Sequence, residues 1–264
     1  MPGILQSVWC YRYFILSSIR NEFVSRFARS KLGGLWMLIN PLAQVAIYAL
    51  ILSNVLAAKL PGIDSRYAYA IYLMAGQLAW TLFSEIIGRC LTLFIEQGNL
   101  MKKLSFPRIT LPAIVVGSSL LNNLLLLLAM LGIFLLLGSH IGLAILWLLP
   151  LTLIVTAFAV GVGLTLGVMN VFLRDIGQVV PIVLQVWFWL TPIVYPVSII
   201  PEQYRHWFAL NPVYPLVDAY HQVLVYDATP DLQRLIPVAA VALVLLLVAF
   251  FLFRRAAEEM VDAL

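Results

Sequence analysis

The chain has 264 residues, 63% of them hydrophobic and 11% charged, with a formal net charge of +4. That composition excludes a water-soluble domain with an ordinary core and points to an all-α polytopic membrane protein. Cys10 and Cys90 stand too far apart to suggest a disulfide framework or a metal site, and no cleavable leader is expected because Met1–Gln6 carries no basic residue.

Residues 8–30 hold too much charge to cross a bilayer. Leu16, Ile19, Phe23 and Phe27 recur at helical spacing while Glu22, Arg26 and Arg29 share another face. This is the pattern of an amphipathic helix lying along a membrane surface, its basic side chains turned to lipid phosphates or a partner. Gly33-Gly34 then leads into the first of six apolar runs: 32–58, 67–94, 109–137, 141–169, 176–200 and 235–253. Each is long enough to cross the ~30 Å hydrocarbon core. The expected organisation is an interface helix over 1–31, a six-span domain over 32–254 and a tail over 255–264.

An even number of spans puts both termini on one side. That side would carry Arg12, Arg20, Arg26, Arg29, Lys31, Lys102, Lys103, Arg108, Arg174, Arg254 and Arg255. The other would carry Lys59, Arg66, Arg205 and Arg234. Basic residues mark the cytoplasmic side, so both termini are expected there. The basic arm is explained by orientation and needs no nucleic acid.

The second run alone has charge well inside it. Gln77, Thr81, Glu85, Arg89, Thr92 and Glu96 make a polar stripe, with Glu85 and Arg89 spaced for an i,i+4 pair. Such a stripe avoids lipid: it either fixes helix packing or faces a pore or a dimer partner. The connection GNLMKKLSFPR (98–108) mixes basic and apolar residues, as suits a short helix pressed on a partner or a simple topology anchor. NVFLRDIGQ (170–178) places Arg174 beside Asp175. In the fifth run Trp187, Phe188 and Trp189 precede breaks at Thr191-Pro192 and Tyr195-Pro196. Prolines there predict a kink, with short re-entrant helices between the last two spans.

No phosphate-binding G-x-x-x-x-G-K-[ST] loop, H-E-x-x-H or G-x-S-x-G occurs in the chain. Nothing in these patterns argues for an enzyme.

Five segments, in order, resemble the permease subunits of ABC exporters for O-antigen, capsule or teichoic acid: SRFARSKLGGLWMLINP (25–41), GNLMKKLSFPR, NVFLRDIG, FWLTPIVYP (188–196) and LNPVYPLVDAYHQVL (210–224). The resemblance implies a homodimer of six-span subunits in the bacterial inner membrane, moving lipid-linked polysaccharide. Each subunit would dock a separate cytoplasmic ATPase that binds ATP and magnesium, leaving this chain without a cofactor. It assigns the coupling surface to Arg26, Arg29, Lys31, Asn99, Leu100, Met101, Lys102 and Lys103, supported by Arg174 and Asp175. Sugars present apolar C–H faces, so a polysaccharide path needs aromatic platforms. Trp36, Tyr48, Tyr72, Trp80, Trp187, Phe188, Trp189 and Tyr195 are the candidates, and Thr81, Glu85 and Arg89 the intramembrane polar stripe.

Two other readings compete. A membrane enzyme acting on lipid-linked sugars would gather Asp218, His221 and Asp227 at one face. An ABC permease for a small drug or haem would keep the fold and change the cargo. A secondary transporter is disfavoured because the two halves show no repeat.

Overall fold

The computed structural model describes residues 9–27, 68–103, 107–136 and 142–256, with residues 6, 35, 36, 39, 42, 43, 259 and 260. Among the described residues the secondary structure is entirely helical. The helices are α1 (Arg12–Phe27), α2 (Ala68–Glu96), α3 (Gly98–Lys103), α4 (Thr110–Leu136), α5 (Leu148–Phe172), α6 (Ile176–Leu190), α7 (Glu202–Ala209), α8 (Tyr214–Val225) and α9 (Leu232–Ala256). A 3-10 turn, Leu143–Trp147, leads into α5. Among the described residues four stretches are long and apolar enough to cross a membrane: Tyr69–Glu96, Thr110–Leu135, Leu143–Phe172 and Leu232–Ala256. The first expected span, 32–58, lies outside the described residues apart from Leu35, Trp36, Ile39, Leu42 and Ala43.

The centre of the molecule is α2. Its Leu73, Leu78, Leu82, Phe83, Ile86, Ile87 and Phe94 are almost wholly buried. It packs on α4, α5 and α8, while α5 also packs on α9 and α1 rests on α4. Lipid tails are as apolar as leucine, so transfer from solvent cannot hold such helices together; close backbone approach must. Gly163 and Gly167 of α5 supply it. A Cβ on Gly167 would run into the Cys90 carbonyl, and one on Gly163 would lie 3.0 Å from the Ile87 Cα. Gly161 meets α9 in the same way, at the Leu245 backbone.

These contacts fix direction. Ile87 faces Gly163, Cys90 faces Gly167, and the Asn170 amide donates to the Leu91 carbonyl at 2.8 Å. Numbers rise together, so α2 and α5 run parallel. Phe94 stacks on Phe253 at 5.5 Å, which brings the end of α9 to the same place. In contrast, α4 runs antiparallel to α2: Asn122 donates to Glu85, and Asn123 to the Leu78 carbonyl. One end of the bundle therefore collects α3, the Arg174-Asp175 turn and Arg254-Arg255.

The fifth run behaves as its prolines predict. Pro192 has no N–H to continue the ladder, and α6 stops at Leu190, followed by the short helices α7 and α8. The carbonyls released by the break are captured. Tyr69 Oη donates to the Val194 carbonyl, and Tyr72 Oη sits 3.3 Å from both the Pro192 and Tyr195 carbonyls. Asn211 closes the corner: its Oδ1 accepts from Trp187 Nε1 at 2.9 Å and from the Val213 N–H at 3.0 Å, while its Nδ2 donates to Thr191 Oγ1 at 2.9 Å.

Candidate functional site

At the basic end, α3 follows α2 after a single residue. Asn99 and Lys102 face outward, but Met101 is buried in the core and Leu100 packs against it. Sequence reasoning grouped all four on one surface. A six-residue helix must anchor itself, and its apolar pair does so, leaving the polar pair to present. Arg174 and Asp175 are both exposed in the turn between α5 and α6. Asn170 positions that turn: its Oδ1 accepts from the Gly177 N–H at 2.8 Å while its amide holds α2. Arg29, Lys31 and Tyr48 lie outside the described residues, as do the side chains of Arg26 and Lys103.

The polar stripe of α2 faces neither lipid nor a cavity alone. Arg89 Nη2 meets Glu22 Oε1 of the arm at 2.6 Å, and Arg89 Nη1 lies 3.6 Å from Glu85 Oε1 on its own helix. Three side chains of α4 complete the group. Ser118 Oγ donates to Glu22 Oε2 at 2.8 Å, and Ser119 Oγ and Asn122 Nδ2 donate to Glu85 Oε1 at 3.1 and 2.7 Å. Thr81 is half-buried one turn away. The sequence placed Glu22 on an outward polar face of the arm; it points inward instead. Arg20 stays exposed on α1, as do the apolar Tyr13, Phe14, Leu16 and Val24. An intramembrane Arg draws a carboxylate more strongly than a bilayer surface does, which reverses the expected facing. Beside the group lies a cavity of about 530 Å³ lined by Phe14, Ser18, Glu22, Arg89, Glu96 and Leu100.

The expected sugar platforms divide into two sets. Tyr72 is buried and stacked on His221 with ring centroids 3.7 Å apart. Trp80 is buried against Phe83 and, edge-on, Phe188 at 5.7 Å. Trp187 stands edge-on to Phe83 at 5.4 Å, and Phe83 stacks on Phe158. These rings are packing inside one subunit. Trp36 and Trp189 are exposed, and Phe188 and Tyr195 are half-buried, with Tyr195 Oη donating to the Trp189 carbonyl at 2.7 Å. Between α2, α5 and α6 runs an apolar groove of about 370 Å³ lined by Ile87, Leu166, Val183, Leu184 and Trp187.

The residues a membrane enzyme would use do not form a constellation. His221 is fully buried, and its Nε2 lies against Gly76 with no hydrogen-bond partner. Asp218 accepts from Gln222 Nε2 at 2.9 Å. Asp227 sits at positive φ with its carboxylate over Gly142. Among the described residues no three His, Cys, Asp or Glu side chains stand together as metal ligands would.

The bundle is bound by glycine contacts, a polar clamp holds the surface arm, and the basic end bears a short outward helix. A family model described as ABC-2 type transporter matches residues 13–225. The chain belongs to the ABC-2 type transporter family. It is 28% identical over 270 aligned residues to an O-antigen export system permease protein RfbA of Myxococcus xanthus, covering 100% of both chains. An O-antigen export system permease protein RfbA of Klebsiella pneumoniae is 27% identical over 218 residues, 81% of each chain. The polysialic acid transport protein KpsM of Escherichia coli is 25% identical over 248 residues, 92% of this chain and 93% of that one. The matched region of this ABC-2 chain runs from the arm to the end of α8 and so contains the clamp, α3, the Arg174-Asp175 turn and the broken segment.

Proposed function

We propose that the chain is the permease subunit of an ATP-driven exporter that carries lipid-linked polysaccharide, O-antigen or capsule, across the bacterial inner membrane. The observation that carries this reading is the full-length match to a permease named for O-antigen export, joined by a near full-length match to a polysialic acid transporter. Two such subunits, each with six spans and cytoplasmic termini, would form the path, and a separate ATPase would bind ATP and magnesium. The shared basic end supports that orientation, since α3, Arg174 and Arg254-Arg255 meet there. The exposed apolar length of α6, with Val179, Ile182, Val183, Val186 and Leu190 all about half accessible, suits contact with a second subunit. His221 of α8 reaches Gly76, eight residues or about 12 Å along α2, which supports a re-entrant course for the segment after α6.

On this reading Asn99 and Lys102, with Arg174 and Asp175, are the side chains that meet the ATPase, and Leu100 and Met101 transmit the push into the core. The test is co-purification of the tagged chain with its operon's ATPase, followed by ATP hydrolysis in the complex. Lys102→Glu with Lys103→Glu should weaken the complex or its polymer-stimulated hydrolysis at least fivefold. Failure of any ATPase to co-purify across several detergents would remove the exporter reading.

A further inference from the structure

Three features of the clamp between arm and bundle have a joint meaning. Glu22 is the polar anchor of α1: its two oxygens take Arg89 of α2 and Ser118 of α4, while Tyr13, Leu16 and Val24 stay exposed and only Ile15 is buried among the described arm residues. Arg89 already has a second carboxylate, Glu85, one turn away on its own helix and fixed by Ser119 and Asn122. Arg89, Glu22 and Glu85 keep 22%, 29% and 21% of their side-chain surface open, and Glu22 and Arg89 line a cavity of about 530 Å³.

Removing one member of a fully buried ion pair strands the other charge. Here departure of Glu22 would leave Arg89 beside Glu85, 3.6 Å away, and the cavity that Glu22 and Arg89 line would admit water to the carboxylate that leaves. Beside the clamp, Ile19 of the arm fills the space over Gly117 of α4, where a Cβ would collide with it. This contact is a knob in a shallow hole that can be withdrawn without breaking backbone structure.

We propose that Glu22 is a positioning residue of a releasable clamp: it docks the arm on Arg89 in the state seen here, and it lets go during each transport cycle as Arg89 passes to Glu85. The proposal rests on the exporter reading for its functional consequence, but its docking part does not. Movement of the arm would thereby act on the second span directly, in addition to any force arriving through α3.

The test uses the full chain with its ATPase, Cys10→Ser as background and Ile19→Cys with Gly117→Cys as a disulfide trap. Copper oxidation should form the bridge. It should cut surface-exposed polysaccharide, measured on intact cells by periodate-reactive carbohydrate, at least tenfold, with recovery on reduction and unchanged co-purification of the ATPase. Glu22→Gln should slow bridge formation several-fold and raise ATP consumed per polymer delivered. Full export by the oxidised trap would show that the arm need not move and would overturn release. An unchanged bridging rate in Glu22→Gln would overturn the clamp. If no ATPase co-purifies with the unaltered chain, the exporter reading fails, and the bridging rates still decide whether Glu22 docks the arm.

Discussion

His221 stacks on Tyr72 with its Nε2 against Gly76, so protonation would place a charge among apolar and aromatic atoms. His221→Ala removes the stack from the packing of α8 on α2 and should lower the thermal midpoint of the purified protein by several degrees; an unchanged midpoint would refute the packing role. Nothing in the sequence disclosed this burial: His221 sits in a short segment whose mixed polarity suits a surface equally well. The same holds for Tyr72, expected as a sugar platform, and for Tyr69, which no sequence pattern singled out: both donate to carbonyls freed 120 and more residues later.

The long helices were legible at the level of elements because an uninterrupted apolar run of bilayer length has few other solutions. Expected runs 67–94, 109–137 and 235–253 meet α2, α4 and α9 to within three residues at either end. The stop of α6 was legible for a local reason, the missing N–H of Pro192. What could not be read was which helix meets which. Ser118, Ser119 and Asn122 look like minor polar interruptions of an apolar run until Glu22 and Glu85 are brought to them. The crossing of α2 and α5 is decided by Gly163 and Gly167, four residues apart on one face. Gly167→Ala pushes a methyl against a backbone carbonyl, which cannot swing aside as a side chain can, and should cost about 3 kcal/mol. Gly132 of α4 has nothing within 4 Å of its added methyl, so Gly132→Ala should leave stability unchanged or slightly improved. Denaturant unfolding in detergent micelles compares the two, and similar midpoints would mean that the crossing is looser than drawn.

At the scale of the whole molecule, the division of aromatic residues into inner and outer sets separates two roles that the sequence ran together. Trp187 is bonded to Asn211 and edge-on to Phe83, so Trp187→Ala removes a packing member from the centre of the bundle. Trp189 is half exposed beside the break. Trp189→Ala should leave expression and ATPase binding near wild type while reducing export of long chains severalfold; Trp187→Ala should lower the yield of folded protein first. Equal export by Trp189→Ala and the unaltered chain would remove this ring from the polysaccharide path.

The uninterrupted course of α2 sets a limit on timing. From Tyr69, which holds the broken segment, to Arg89, which holds the arm, the helix runs twenty residues, or about 30 Å, without a proline. A rod without a joint cannot store a displacement at one end and release it later at the other. If the arm tilts as proposed, the tilt would appear at the break in the same motion, so opening on one side of the membrane and disturbance of the opposite side would belong to a single event rather than to two successive ones.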